Sequence, residues 1–129
     1  MPSDLDASIK LLYPVDLNQF FTVDDVASGD SFDVIANVEI GQDLNQSVDN
    51  FDLRVGIVNL TQSNSVAVVN DAGALAPAAT PFLDERRVNI PAGWSANAGD
   101  VLQAVASYKV TAGVNTDFST AVSQTFVVS

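Results

Sequence analysis

The sequence predicts an all-β fold, an antiparallel sandwich in which two sheets of together about seven strands enclose one core. Apolar and polar residues alternate with a period of two along most of the chain, which is typical of strands with one buried face. Clusters of turn-forming residues separate these stretches, and no convincing helical period occurs between them. The 129 residues fit one domain. We therefore expect a single sandwich over residues 1–129, with residues 1–20 as an N-terminal arm or the first strand.

Four segments show the clearest alternation between apolar and polar residues. They are SFDVIANVEI (31–40), FDLRVGI (51–57), VLQAVASYKV (101–110) and AVSQTFVVS (121–129). Because successive side chains of a strand point to opposite faces, every second residue of each segment is expected in the core. The expected core positions are the alternate residues from Phe32 to Ile40, from Phe51 to Ile57 and from Leu102 to Val110, followed by Val122, Phe126 and Val128.

Three further segments show a weaker alternation and complete the predicted set of strands. The connection NDAGALAPAATPF (70–82) is apolar and rich in small residues, which is unusual for a solvated loop. We expect it to lie against its own sheet or against a neighbouring subunit. The weaker strands are IKLLYPV (9–15), SVAVVN (65–70) and ERRVNI (85–90), and in the first of them Ile9, Leu11, Tyr13 and Val15 share one side.

The last third of the chain carries a resemblance to a known class of domain. The run IPAGWSANAGDVLQAVASYKVTAG (90–113), followed by STAVSQTFVVS (119–129), resembles the end of immunoglobulin-like and fibronectin-III-like modules of bacterial and viral surface proteins. VASGDSFDVIANVEI (26–40) resembles their second strand, which follows a Gly-Asp turn. The resemblance implies an immunoglobulin-like sandwich, with a jelly-roll sandwich as the alternative. It implies no activity, because one fold of this kind serves many functions.

Composition excludes several classes of function. The chain has 16 acidic and 5 basic residues and a net charge of −11, so we expect neither nucleic acid nor an anionic membrane as a partner. It contains no histidine and no cysteine, which removes Ser-His-Asp, Cys-His and zinc–thiolate sites. We therefore predict no catalytic residues and no enzyme. We also expect no secretory signal and no membrane-spanning segment, and a location on a virion or an extracellular surface.

One acidic segment begins like a calcium-binding loop but does not continue as one. DLNQSVDNFDLR (43–54) places oxygen ligands at alternate positions, yet Val48 and Arg54 stand where such a loop needs Gly and Glu. We expect the acidic residues to cap turns, because Asp and Asn side chains bond to the nearby backbone. The sequence thus predicts no cofactor. A looser calcium site is the alternative, drawing on Asp43 and Asp49 or on Asp24, Asp25 and Asp30.

Five residues are candidates for contact with a partner. Trp94, the only tryptophan, lies in a loop between Pro91 and Gly99. We interpret it as a ring that covers the end of the core, with an exposed contact ring as the alternative. Adjacent strand residues face opposite ways, so one of Phe20 and Phe21 is expected at a contact surface. The other two candidates are Arg86 and Arg87, which we interpret as local charge pairs of an edge strand, with an anchor for an acidic neighbour as the alternative.

Two functional hypotheses follow from these observations. The first is a non-catalytic structural or interaction module, a component of a larger protein assembly such as a virion or phage decoration or surface protein. It depends on the lack of catalytic groups, the resemblance to surface modules and the apolar connection before residue 82. The second is a carbohydrate-binding or adhesion module that uses Trp94 with the assistance of calcium. A sugar platform usually needs several aromatic rings in line, so we favour binding to other protein subunits.

Overall fold

The computed structural model describes residues 6–17 and 23–129 and confirms an all-β fold of two facing sheets. One sheet has three strands in the order β1-β3-β6, and the other has five in the order β2-β8-β7-β4-β5. This architecture is compatible with an immunoglobulin-like sandwich. The strands are β1 (Ala7–Asp16), β2 (Asp25–Val26), β3 (Phe32–Ile40), β4 (Asn50–Asn59), β5 (Asn64–Ala74), β6 (Phe82–Ile90), β7 (Val101–Ala112) and β8 (Asn115–Val128), with one short helix, α1 (Gln42–Asn45).

The core lies between the sheets and is built from the alternate residues that the sequence predicted for β3, β4 and β7. Val34, Leu53 and Leu102 are fully buried, as are most of their alternate neighbours along the same strands. Each buried side chain of this size contributes about 1.5–3 kcal/mol relative to an exposed one. The two central strands of the larger sheet, β4 and β7, therefore provide much of the stability of the sandwich.

Two β-bulges correct the predicted faces of the first and last strands. In β1 the register with β3 shifts between Ile9 and Leu11, so that Leu12 is buried and Leu11 is 53% exposed. In β8 the register with β7 shifts where Gln103 and Val105 pair, so that Val122 is 63% exposed. A bulge adds one residue to a strand and moves the residues beyond it to the other face. The prediction that Val122 faces the core is wrong for this reason, and so is the prediction that Ile9 and Leu11 share one side of β1.

The bulge in β8 is stabilised by a side chain rather than by the ladder. The hydroxyl of Ser123 accepts a hydrogen bond from the Ala104 amide at 3.0 Å and donates one to the Gln124 carbonyl at 2.7 Å. Ser123 is 4% exposed, so these bonds satisfy a polar group that would be costly to bury alone. The extra residue thus has a stable position, and Val122 and Thr125 on its two sides both face outward.

The apolar connection between β5 and β6 packs against its own chain. The Leu75 amide donates to the Asp49 carbonyl at 3.0 Å, and the Ala78 amide donates to the Asn45 carbonyl at 3.1 Å. The buried Asn45 side chain in α1 also donates to the Thr80 carbonyl at 2.8 Å. Within the described residues α1 is the one helix, and with four residues it is too short to cross a membrane.

Candidate functional site

Trp94 lies at one end of the core, in the loop between β6 and β7. Its ring meets Phe32 edge-on at a centroid distance of 5.9 Å, and its Nε1–H donates to the Asp30 carbonyl at 2.8 Å. Phe126 also meets Phe32 edge-on, at a centroid distance of 5.8 Å. The residue is 9% exposed. The structure therefore places Trp94 as a cover of the core, and little of its ring is available to an external ligand.

Arg86 joins the two sheets at one edge of the sandwich. It extends from β6 and forms two hydrogen bonds with the Asp71 carboxylate of β5, at 2.8 and 3.0 Å. A third hydrogen bond reaches Asp84 at 3.2 Å, and the guanidinium carbon lies 4.7 Å from the centre of the Phe51 ring. The bond to Asp71 is the main cause that raises the pKa of Arg86. Its charge is thus balanced within the chain.

Arg87 points to the opposite side of β6 and is also paired within the chain. Its Nη1 lies 2.7 Å from the Asp33 carboxylate, which is almost fully buried on the outer side of the three-stranded sheet. The Asn89 amide donates to the same carboxylate at 3.0 Å. Nearby, burial and then the charge of Glu85 raise the pKa of Tyr13. Both arginines are therefore ion-paired within the chain, Arg86 with Asp71 and Asp84 and Arg87 with Asp33.

The acidic candidates for a calcium site fall into separate places. Asp24, Asp25 and Asp30 line a depression of about 460 Å³ at one end of the sandwich, together with Asp16. Asp43 lies in α1, and Asp49 accepts a hydrogen bond at 2.8 Å from the amide of Gly113, in the turn between β7 and β8. Among residues 6–17 and 23–129, no group of three or more acidic side chains is arranged to hold a metal ion. Phe20 and Phe21 lie outside the described residues.

A further carboxylate, Asp100, has a structural position that the sequence did not single out. It lies just before β7, is 4% exposed, and accepts hydrogen bonds from the Asn59 side chain at 2.8 Å and the Asn97 amide at 3.0 Å. The bond from Asn59, followed by that from Asn97, lowers the pKa of Asp100. This carboxylate joins the end of β4 to the loop that carries Trp94.

The surface that no part of the described chain covers is the side of the five-stranded sheet turned away from the core, which we call the outer face. The strand registers align its side chains in rows that run across β5, β4, β7 and β8. One of these rows, which we call the central row, is entirely apolar and consists of Val68, Gly56, Val105 and Val122. The two rows beside it are Asn70, Arg54, Ser107 and Thr120, and then Ala72, Asp52, Lys109 and Phe118.

Gly56 makes the central row concave. Val68 and Val122 at the two ends of the row are 59% and 63% exposed, whereas Gly56 between them has no side chain. The result is a groove of about 560 Å³ along the outer face. A Cβ placed on Gly56 would approach Val105 Cγ2 at 3.4 Å and nothing closer. Backbone strain therefore does not require glycine here, and the groove exists because this position is left empty.

The outer face also differs in charge from the rest of the protein. The chain has five basic residues, and three of them form ion pairs with Glu39, Asp71, Asp84 or Asp33. The other two, Arg54 and Lys109, have no carboxylate within ion-pair distance among the described residues. Both lie on the outer face, where Arg54 bonds to the Asn70 side chain and Lys109 lies 5.8 Å from the Phe118 ring. This face is thus apolar and locally cationic in an acidic protein.

The sequence did not reveal this surface, because its alternation assigns Val122 to the core and Gly56 to the solvent-facing side of a single strand. The signal that was available is a glycine in the middle of an alternating strand, which often marks a close approach by a ligand or another backbone. No family model matches this chain, and no curated protein is significantly similar to it.

Proposed function

We propose that this protein is a non-catalytic structural subunit that binds another protein within a larger assembly, such as the surface of a virion. The observation that carries the proposal is the exposed central row on the outer face. The resemblance of the chain to immunoglobulin-like surface modules supports the same proposal. The lack of histidine and cysteine in the sequence favours binding over catalysis.

The chemistry of the outer face suggests what kind of protein surface fits it. The groove over Gly56 accepts an apolar side chain between Val68 and Val122, and burial of about 100 Å² there would contribute about 2.5 kcal/mol. Arg54 lines the same groove and has no carboxylate partner among the described residues, so it can bind a carboxylate of the partner. The expected partner surface therefore combines an apolar side chain with a neighbouring acidic one.

The test compares variants of two similarly exposed apolar residues, Val122 and Leu83, on opposite sides of the sandwich. Val122→Asp places a charge in the groove, and Gly56→Leu fills it without adding charge. Leu83→Asp, at a residue of β6 that is 69% exposed, is the matched control. We expect co-sedimentation with the purified native assembly to fall at least about tenfold for the two groove variants, a loss of about 1.4 kcal/mol. Binding that survives both groove variants, or that falls equally with Leu83→Asp, contradicts the proposal.

The carbohydrate-binding alternative has less support. It requires an exposed aromatic platform, and Trp94 is 9% exposed with its N–H bonded to Asp30. The remaining exposed ring on the outer face is Phe118, which stands alone in its row. Screening the protein against a glycan array separates the two functions, because a glycan ligand whose binding is lost in Trp94→Ala but not in Val122→Asp supports the alternative.

A further inference from the structure

We propose that strand β5 pairs in antiparallel fashion with β5 of a second copy of this chain, which joins two five-stranded sheets into one continuous sheet. The surface involved is the free edge of β5, at the end of the strand order β2-β8-β7-β4-β5. This inference goes beyond the proposed function, because it concerns an edge rather than the groove and names the chain itself as the partner.

The strand registers show which backbone groups of β5 are unpaired. The Leu75 amide donates to the Asp49 carbonyl, in register with the β4–β5 ladder, and hydrogen-bonded pairs alternate along such a ladder. The Leu60 amide donates to the Val101 carbonyl in the same way, so even-numbered residues of β4 bond to β7 and odd-numbered ones bond to β5. On β5 it follows that the N–H and C=O groups of Val68, Asn70 and Ala72 point to the open edge.

The other strand edges carry features that prevent pairing, whereas β5 carries few. In β1 the Ala7 amide donates to Asp117 Oδ2 at 2.7 Å and the Ile9 amide donates to Ser119 Oγ at 3.1 Å, so side chains of β8 cover that edge. β6 carries four consecutive charged residues, 84–87, and β2 is two residues long. Charges, side-chain cover and shortness are the usual protection of sheet edges. The regular part of β5, residues 67–74, contains no proline, lysine or arginine.

The charge of β5 explains why a second copy is the expected occupant. The chain carries a net charge of −11, but β5 contains a single acidic residue, Asp71, which is paired with Arg86 at 2.8 Å. Two copies therefore meet here without repulsion between unpaired carboxylates. A register centred on Asn70 pairs Val68 with Ala72 of the other copy and keeps the two Asp71 residues from lying directly opposite each other, which would be unfavourable.

The same charge distribution predicts an unusual response to salt. Association of two copies works against the repulsion between two bodies of charge −11, and salt screens that repulsion over a Debye length of about 10 Å at about 0.1 M. We expect the dimer to form more strongly as salt is added, by at least about tenfold from low to physiological ionic strength. A contact held by ion pairs would weaken instead.

The experiment measures the mass of the full chain by sedimentation equilibrium from micromolar to sub-millimolar concentration, at low and at physiological salt. Amide hydrogen exchange is measured on the same samples. We expect a monomer–dimer equilibrium, together with slower exchange of the Val68, Asn70 and Ala72 amides at high concentration. The Val69 and Asp71 amides, which bond to β4, are expected to exchange slowly in both states.

A pair of variants at Ala72 tests the backbone pairing itself. Ala72→Pro removes an N–H that points to the open edge and leaves the ladder with β4 complete, whereas Ala72→Val keeps the N–H at the same exposed position. We expect the dimer to be lost in the first variant and retained in the second. Ala72→Lys keeps every backbone hydrogen bond of the ladder with β4. We expect its charge at the open edge to weaken the dimer as well.

The outcomes separate this inference from the proposed function. A protein that stays monomeric at all concentrations and salt conditions overturns the inference. So does a dimer in which the Val68, Asn70 and Ala72 amides still exchange rapidly, or one that Ala72→Pro leaves intact. A monomer in which those amides become protected only when a different protein is added also overturns it, because β5 would then accept a foreign strand. Gly56→Leu and Val122→Asp, which test the groove, remove no N–H of the β5 edge, so we expect both variants to keep the dimer.

Discussion

Replacing Trp94 by alanine is expected to lower the free energy of unfolding by about 4–6 kcal/mol. The ring is 9% exposed. The loss of about 200 Å² of buried aromatic surface costs about 5 kcal/mol by area, at the upper end of the 3–5 kcal/mol typical of such substitutions. The hydrogen bond from Nε1 to the Asp30 carbonyl, at 2.8 Å, adds about 1 kcal/mol. Trp94→Phe keeps a ring against Phe32 and is expected to cost about 1–2 kcal/mol.

The assay is urea denaturation followed by far-ultraviolet circular dichroism, because the variants remove the only tryptophan and with it the fluorescence probe. Phe118→Ala is the control, since Phe118 is 65% exposed on the outer face and is expected to cost less than about 1 kcal/mol. The wild-type protein should show blue-shifted tryptophan emission that moves to the red on unfolding. A cost for Trp94→Ala similar to that of the Phe118 control would refute the placement of Trp94 as a cover of the core.

Two further predictions concern the polar contacts that join separate strands. Arg86→Met keeps the apolar stem over Phe51 but removes the bonds to Asp71, and we expect a loss of about 1–2 kcal/mol in urea denaturation, with Arg86→Lys restoring little because it lacks the two-pronged geometry. Full stability in Arg86→Met would refute the link between the sheets. The bond from Asn59 lowers the pKa of Asp100 below its usual 3.8. The ionised carboxylate therefore stabilises the folded state at pH values above 3.8, and this stability is lost as the pH falls through the lowered pKa. Asp100→Asn should therefore be less stable at neutral pH and lose less stability on acidification, and an unchanged acid profile would contradict this.

The fold class could be predicted from the sequence because strand alternation is a local property. The buried faces of β3, β4 and β7 follow directly from it, since at each register shift the extra residue lies in the partner strand, β1, β5 or β8. The faces of Leu11 and Val122 could not be predicted in the same way. Each lies next to a single extra residue whose position depends on the partner strand and, in β8, on the hydroxyl of Ser123.

The candidate site was less predictable because it depends on how four strands align. Arg86 and Arg87 stand out in the sequence as a pair of charges, yet their partners Asp71 and Asp33 come from β5 and β3 and cannot be assigned without the fold. The central row brings together residues from Gly56 to Val122 that no short window of sequence contains. Only the glycine inside an alternating strand gave a local indication of that surface.

The distribution of charge suggests why contacts would concentrate on the five-stranded sheet. The outer face of β5, β4, β7 and β8 carries Arg54 and Lys109 against one carboxylate, Asp52, although the chain as a whole has a net charge of −11. At physiological salt, exposed charges interact over about 8 Å, so the local pattern decides which surfaces can touch. The groove and the free edge of β5 lie on the side where repulsion is weakest. An acidic surface elsewhere would then act as protection against unspecific association, and adding acidic residues to the outer face should remove both contacts without unfolding the sandwich.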